Sequence, residues 1–80
     1  MKLSLYSLKK ILFQDEAESL NCKTVMGEIT VLDNHETLIT VLAAGIVKIT
    51  DNREKQHFFP IKSGFLEVKT GNEVRCIVEE

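Results

Sequence analysis

The sequence lacks the features that mark a membrane-spanning, secreted or nucleic-acid-binding protein. No apolar run approaches the roughly 20 residues that a helix needs to cross a bilayer. The opening segment MKLSLYSLKK contains an apolar stretch that is too short for a signal peptide. Basic residues are adjacent only at Lys9 and Lys10, and the net charge is -2, whereas phosphate binding needs clustered lysines and arginines. We therefore expect a cytoplasmic chain that binds no nucleic acid.

Motifs for nucleotides, metals and catalysis are missing as well. There is no GxxxxGK[ST] motif. Cys22, His35, His57 and Cys76 stand isolated, whereas zinc ligands normally come in close pairs. Two thiols in a chain without a signal peptide are expected to be reduced and buried. We expect no cofactor, no metal and no small-molecule ligand. An enzyme built on Cys22 and His35 is kept only as a third interpretation, since it needs an activated thiolate.

Apolar and polar residues alternate with a period of two, which indicates β-strands. Turn signals fall at residues 33–34, 51–52 and 71–72, and residues 46–62 and 65–78 are predicted hairpins. Turns about every 8 to 12 residues predict an all-β fold. The expected structure is a single domain, residues 1–80, forming a small β-sandwich of two mostly antiparallel sheets with about ten short strands.

Two segments test this interpretation. Residues 15–21, DEAESLN, have fair helix propensity, but they are too few and lack an apolar stripe. We expect a strand with a bulge or a turn there. Pro60 interrupts a strand-like run, and proline cannot donate a hydrogen bond to a sheet. Its strand is therefore expected at an edge or with a bulge.

The stretch GEITVLDNHETL from Gly27 to Leu38 sets a Gly-Glu corner and an Asn-His turn seven residues apart. With LKKILF, the isolated Gly45 and SGFLEV, it resembles the N-terminal β-sandwich of the epsilon subunit of F-type ATP synthases. The resemblance covers nearly the whole chain. The matching positions are Phe13, Gly27, Glu28, His35, Leu38, Gly45, Gly64, Leu66, Glu67, Val68, Asn72 and Val74.

The departures from the family pattern are also specific. Thr30, Asp33 and Thr37 replace a glycine and two prolines, and Ser63 replaces the first glycine of a pair. Asp33 and Asn34 still favour a turn, because asparagine tolerates the left-handed region. Family members usually continue into two C-terminal helices, whereas this sequence ends at Glu80. The resemblance thus implies a subunit, or its N-terminal domain, without the inhibitory helices.

The resemblance implies a non-enzymatic rotor subunit that links the gamma subunit to the c-ring and helps couple ion flow to ATP synthesis. It places the chain at the cytoplasmic face of a bacterial inner membrane, held there only by protein contacts. The implied c-ring contacts are Glu28, Asp33, Asn34, His35 and Glu36. The implied gamma contacts are Ser7, Thr40 and Lys62.

Two of the implied gamma contacts carry a pattern of their own. Ser7 runs in step with Leu3 and Leu5, and Thr40 in step with Leu38 and Leu42. Such hydroxyls either satisfy backbone groups inside the sandwich or lie where another protein covers the sheet. The alternative to a rotor subunit is a free-standing β-sandwich adaptor with another partner, since fold alone does not fix function.

Overall fold

The computed structural model describes residues 1–80 as eight strands without a helix. In chain order these are β1 (Lys2–Ser7), β2 (Ile11–Thr24), β3 (Gly27–Leu32), β4 (Leu38–Leu42), β5 (Gly45–Asp51), β6 (Gln56–Ile61), β7 (Ser63–Lys69) and β8 (Glu73–Glu79). The all-β prediction is confirmed, with eight strands in place of about ten. No helix that could cross a membrane is present.

The strands form two layers that share β2. The front layer has the order β4, β7, β8, β1 and the first part of β2, and the back layer contains β3, the second part of β2, β5 and β6. Only β1 and β8 run parallel, so the prediction of mostly antiparallel sheets is confirmed. The pairing of β2 with β5 shifts register between Ala17 and Ser19, inside residues 15–21. The bulge predicted there is confirmed, and it lets one long strand serve both layers.

The core lies between the layers and follows the period-two pattern. On β1, Leu3 and Leu5 are buried, whereas Lys2, which points to the opposite face, is exposed. One cluster of 16 buried residues joins both layers. Cys22 from the back layer and Cys76 from the front layer belong to it, and both are free thiols. The prediction of buried, reduced cysteines is confirmed.

The predicted hairpins and the edge proline are confirmed. β5 pairs with β6, and β7 pairs with β8, each antiparallel. The turns use left-handed residues, with φ of 61° at Asn34 and 58° at Asn72, as asparagine permits. Pro60 lies in β6, which pairs only with β5 and is therefore an edge strand. Gly64 permits a close approach, because an added Cβ would lie 2.6 Å from the carbonyl oxygen of Ile77.

Candidate functional site

The outer surface of the front layer carries a continuous row of outward-facing side chains, four of them exposed and apolar and one the half-buried Tyr6, which we call the apolar row. Direct register neighbours build it across five strand segments: Val41 opposite Phe65, Phe65 opposite Ile77, Ile77 opposite Tyr6, and Tyr6 opposite Ile11. Phe65 is 60% exposed and Ile77 is 45% exposed. Contiguous apolar surface of this kind marks interaction sites.

The rest of the same surface becomes charged toward its other end. The next row places Ile39 opposite Glu67 and Glu67 opposite Arg75. The row beyond it alternates in sign, with Lys69 opposite Glu73 and then Lys2 and Glu16. Lys69 Nζ lies 3.3 Å from Glu73 Oε1. The front surface is therefore divided, with an apolar band suited to packing and a charged band suited to water.

The outer surface of the back layer is mainly polar. At its centre Asn21 Nδ2 donates to Thr30 Oγ1 at 2.9 Å and to Glu28 Oε2 at 3.2 Å. Thr30 and Lys48 are the register neighbours of Asn21. Leu32 is exposed there on the edge strand β3. Phe58 on the edge strand β6 and Ile46 on β5 are exposed as well, and Ile46 lies opposite Pro60. The two outer surfaces therefore differ, because the apolar row of the front one crosses five strand segments, whereas the exposed apolar residues of the back one are limited to β3 and to neighbouring positions of β5 and β6.

Four of the five predicted c-ring residues lie together in the turn after β3. Asp33 Oδ1 accepts from the Met1 ammonium at 2.5 Å and from Asn72 Nδ2 at 3.3 Å. The ammonium and Asn72 hold the pKa of the Asp33 carboxyl below its usual value. The Asn34 N–H donates to Asn72 Oδ1 at 2.8 Å. His35 Nδ1 lies 2.8 Å from the Glu36 carbonyl oxygen. The turn is thus tied to the chain start and to the β7–β8 turn.

Glu28, the fifth predicted c-ring residue, lies at the other end of β3. It pairs with Lys23 beside the β2–β3 turn, five residues before Asp33. At about 3.3 Å per strand residue the separation is roughly 16 Å. The stretch Gly27–Leu32 is a strand, so the implied c-ring contacts lie at two separate exposed points. Glu28 lies in β3 and the other four residues follow it directly, and β3 is an edge strand that pairs only with β2.

The predicted gamma contacts are spread over the front layer. Ser7 ends β1, where its hydroxyl accepts from the backbone N–H groups of Lys9 and Lys10, each at 3.2 Å. Thr40 is half-buried on the side of β4 that also carries buried Leu42. Lys62 is exposed between β6 and β7, and its N–H donates to the Glu79 carbonyl oxygen at 2.7 Å. Ser7 and Lys62 both lie near the end of β8, whereas Thr40 lies opposite Leu66.

The apolar row was not among the predicted contact residues, although the sequence carries a signal for it. In a half-buried strand the residues between core positions are usually polar. Here Val41, Phe65 and Ile77 occupy such outward positions, next to buried Leu42, Leu66 and Cys76. Three neighbouring strands with apolar residues on both faces indicate a sheet that a second protein covers.

The cysteines are poor candidates for chemistry. Burial, together with the charge of Glu28, raises the pKa of the Cys22 thiol to about 11. Burial also raises the pKa of Cys76. Both thiols are therefore protonated at neutral pH, whereas a nucleophile must be a thiolate. No three His, Cys, Asp or Glu side chains are grouped to hold a metal ion.

Asp51 organises the β5–β6 turn. Its Oδ2 lies 2.9 Å from His57 Nε2, and its Oδ1 accepts from the N–H groups of Arg53 at 2.9 Å and Lys55 at 3.0 Å. The hydrogen bond from His57, followed by those of the backbone, holds the pKa of the Asp51 carboxyl below its usual value. Phe13 packs edge-on against His57 with ring centroids 5.1 Å apart. The hydrogen bonds of Asp51 therefore stabilise the β5–β6 turn.

Replacing Asp51 with asparagine should lower the thermal midpoint at pH 7. A carboxyl whose pKa is lowered by folding stabilises the fold above its unfolded pKa, and this contribution is lost as pH falls through the folded pKa. The difference between wild type and Asp51→Asn should therefore shrink below about pH 4, the unfolded pKa of aspartate. Thermal unfolding at pH 7 and pH 3 measures it, with Glu36→Gln as an exposed control of equal charge change. A difference that persists undiminished at pH 3 would contradict this account.

An apolar row on the outer surface of a two-layer β-sandwich is typical of domains that bind other proteins. Comparison with known proteins gives the family. The model of the ATP synthase delta/epsilon chain β-sandwich domain matches residues 1–80. This chain belongs to that family.

Curated relatives agree. The ATP synthase epsilon chain of Clostridium novyi (strain NT) is 40% identical over 70 residues, which are 86% of this chain and 53% of that one. The epsilon chain of Desulfosudis oleivorans is 32% identical over 68 residues, covering 85% of this chain and 51% of that one. The chain therefore spans about half the length of these relatives.

Solved structures show the same fold. A chain of the Euglena gracilis mitochondrial ATP synthase, in a structure of OSCP, F1 and c-ring, superposes with a TM-score of 0.93 at 26% identity. The match covers 100% of this chain and 51% of that chain. A chain from the central stalk and c-ring of Tetrahymena thermophila has the same fold, with a TM-score of 0.84 at 19% identity, covering 100% and 63%.

Proposed function

We propose that this chain is the β-sandwich of an epsilon-type subunit in the central stalk of a rotary ATP synthase. In this role it links the gamma subunit to the c-ring and helps couple ion flow to ATP synthesis, without catalysing a reaction itself. It works at the cytoplasmic face of a bacterial inner membrane and is held there by protein contacts. The family match and the stalk structures of similar chains support the proposal.

The apolar row is the observation that carries this function. A small domain that exposes Phe65 and Ile77 on one sheet surface gains by packing that surface against another protein. We assign the gamma subunit to this surface. Of the three gamma contacts expected from the resemblance, Ser7 and Lys62 lie near the C-terminal end of β8, just past Ile77 of the row. Thr40 lies on the inner side of β4, next to Val41 and Ile39.

The c-ring contact is assigned to the two exposed points of β3. Glu28 lies at one end, and Asp33, Asn34, His35 and Glu36 lie at the other. An edge strand presents both of its ends to one broad surface, so a wide partner reaches the two points together although they are roughly 16 Å apart. Both points are polar or charged, which suits the polar loops of a membrane-embedded ring.

The direct test of the function is complex formation. The purified chain is mixed with the gamma subunit and the detergent-solubilised c-ring of the same synthase. Gel filtration then shows which components elute together. We expect all three to elute together. If the chain binds neither component, the proposed function is wrong and the adaptor interpretation takes its place.

Changing Glu28 to lysine should weaken binding of the chain to the solubilised c-ring while leaving gamma binding unchanged. Reversing a charge in a desolvated contact costs about 2 to 5 kcal/mol, since attraction is replaced by repulsion. The isolated domain should stay folded, because the Glu28 side chain is exposed and its carboxylate accepts a hydrogen bond only from Asn21. Glu18→Lys, an equal reversal at the exposed bulge position of β2, is the control. Equal c-ring binding by the Glu28 and Glu18 variants would remove Glu28 from the contact.

A further inference from the structure

The side chain of Asn21 reaches from β2 across the outer surface of the back layer to β3. Asn21 is half-buried, and its register neighbour on β3 is Thr30. Its Nδ2 donates to Thr30 Oγ1 at 2.9 Å and to Glu28 Oε2 at 3.2 Å. It also donates to the Ile29 carbonyl oxygen at 3.3 Å. An amide group has two N–H bonds, so these three acceptors share them. One of the three is the carboxylate that we assign to the c-ring contact.

The neighbours of the Asn21 amide determine which way it points. A carboxylate and a peptide carbonyl group only accept hydrogen bonds. If the amide were turned over, its own oxygen would face both of these acceptors and would repel them. The donating side of Asn21 therefore faces β3, and the Thr30 hydroxyl holds it there. Thr30 replaces the glycine of the family pattern, so this hydroxyl is a feature of this chain.

The charge of Glu28 is not neutralised by the lysine opposite it. Lys23 is the register neighbour of Glu28, and opposite charges at such positions commonly attract each other. None of the ion pairs of the structure includes either residue. The stem of Lys23 lies instead against Gly45, where an added Cβ would be 3.1 Å from Lys23 Cδ. The Glu28 carboxylate is therefore held by a neutral donor and keeps its charge for a partner.

The hydrogen bond from Asn21 also leaves part of the Glu28 carboxylate open. Within the chain only Oε2 accepts a hydrogen bond, and the side chain is exposed. Oε1 is free to accept hydrogen bonds from a second protein. A glutamate side chain that rotates freely loses conformational entropy when a contact fixes it. A side chain that is held in place before binding loses less.

A purely structural role explains these bonds less fully. The backbone ladder already joins β2 to β3 along the whole length of β3, from residues 19–24 to residues 27–32. The bonds to Thr30 and Glu28 are exposed. Water can replace an exposed hydrogen bond at little cost in stability. Water cannot hold a carboxylate in one orientation, whereas an amide fixed at the centre of a sheet can.

We propose that Asn21 is a positioning residue for the c-ring contact. With Thr30 fixing its amide, Asn21 holds the Glu28 carboxylate toward β2, in the orientation in which Oε1 meets a cationic or N–H donor group of the ring. This inference rests on the proposed function, because it concerns how the chain prepares one of its two c-ring contact points.

The first test is nuclear magnetic resonance of the free chain. Three-bond couplings along the Glu28 side chain show whether it occupies one staggered rotamer or averages over several. Wild type should show one dominant rotamer, and Asn21→Ala and Thr30→Val should each show averaged couplings. Thr30→Ser, which keeps the hydroxyl, should retain the wild-type couplings. Thr50→Val is the matched control, since it makes the same change elsewhere on that outer surface and should leave Glu28 unaffected. Averaged couplings in wild type would overturn the positioning role.

The second test measures affinity of the same variants for the detergent-solubilised c-ring. Asn21→Ala and Thr30→Val should each weaken binding about 3- to 10-fold, which is the value of one hydrogen bond expressed as affinity. Thr30→Ser should bind as wild type does, and so should Asn52→Ala, the same change as Asn21→Ala at an exposed turn residue. Added to Glu28→Ala, the Asn21→Ala change should cause no further loss, because Asn21 acts through Glu28. An equal loss from Asn21→Ala with and without the Glu28 carboxylate would overturn the proposal.

Failure of the positioning role and failure of the function give different results. If Glu28→Ala weakens c-ring binding while Asn21→Ala leaves it unchanged, Glu28 is a contact and Asn21 does not position it. If Glu28→Ala binds as wild type does, the contact assigned to Glu28 is wrong, and the role of Asn21 falls with it. If wild type does not bind the c-ring at all, the proposed function itself fails.

Discussion

Phe65→Asp should reduce affinity for the gamma subunit by at least about 100-fold without unfolding the domain. Phe65 lies at the centre of the front surface, between Val41 and Ile77 in the register of the apolar row. An interface buries such an aromatic at its core, where truncation alone costs about 2 kcal/mol or more. A carboxylate at the same place must also be desolvated without a partner, which adds several kcal/mol.

The control for this prediction is Leu32→Asp, which makes the same chemical change on the opposite layer. Leu32 is as exposed as Phe65, at 57% and 60%. Both variants should keep the β-type circular dichroism spectrum, because neither side chain belongs to the core. Titration calorimetry with the gamma subunit gives the affinities. If Phe65→Asp and Leu32→Asp bind equally well, the apolar row is not the gamma surface.

Much of the fold was predictable from local patterns. Alternation gives the buried face of β1, β5 and β8, because a residue such as Leu5 or Cys76 has only two directions to point. Asparagine and glycine mark the turns after β3 and β7, since few other residues accept positive φ, whereas the β5–β6 turn has its positive φ at Glu54. Pro60 predicts an edge because it has no N–H to donate. Each of these constraints acts within a few residues, which is why the sequence reveals it.

Other features depend on contacts between distant parts of the chain. The parallel pairing of β1 with β8 joins residues about seventy positions apart, and no local pattern specifies it. The continuity of β2 through its bulge depends on having β1 on one side and β5 on the other. That continuity lowers the number of strands by one, since the bend does not interrupt β2.

The candidate site likewise has features that the local sequence predicts and features that depend on distant contacts. The Asp33–Glu36 turn was predictable from its residues, but its ties to Met1 and Asn72 were not. The family resemblance grouped Glu28 with His35 as implied c-ring contacts. In the structure the intervening residues are extended and pair with β2, which moves Glu28 to the far end of β3. The apolar row depends on the registers of four strand pairs, so single strands contain only fragments of it.

Leu66→Ala should destabilise the domain by about 2 to 5 kcal/mol, the usual cost of the cavity left by a buried leucine. Leu66 is fully buried in β7 and lies between Thr40 and Cys76 in the inner register of the front layer. Domains of this size have a total stability of roughly 4 to 12 kcal/mol, from about 0.05 to 0.15 kcal/mol per residue. The variant should therefore unfold at least about 10 °C below wild type, since 1 kcal/mol shifts the midpoint of a small domain by about 4 to 8 °C.

Leu32→Ala removes the same atoms from an exposed position, so its thermal midpoint should stay close to that of wild type. Below its midpoint the Leu66 variant should still bind the gamma subunit, because Leu66 points away from the apolar row that its neighbour Phe65 joins. The Leu66 variant should lose stability and keep gamma binding, whereas Phe65→Asp should stay folded and lose gamma binding. Adjacent residues on one strand thus separate stability from recognition. A Leu66→Ala chain that lost gamma binding while fully folded would mean that the two faces of β7 are coupled, and that the outer surface cannot be treated as an independent site.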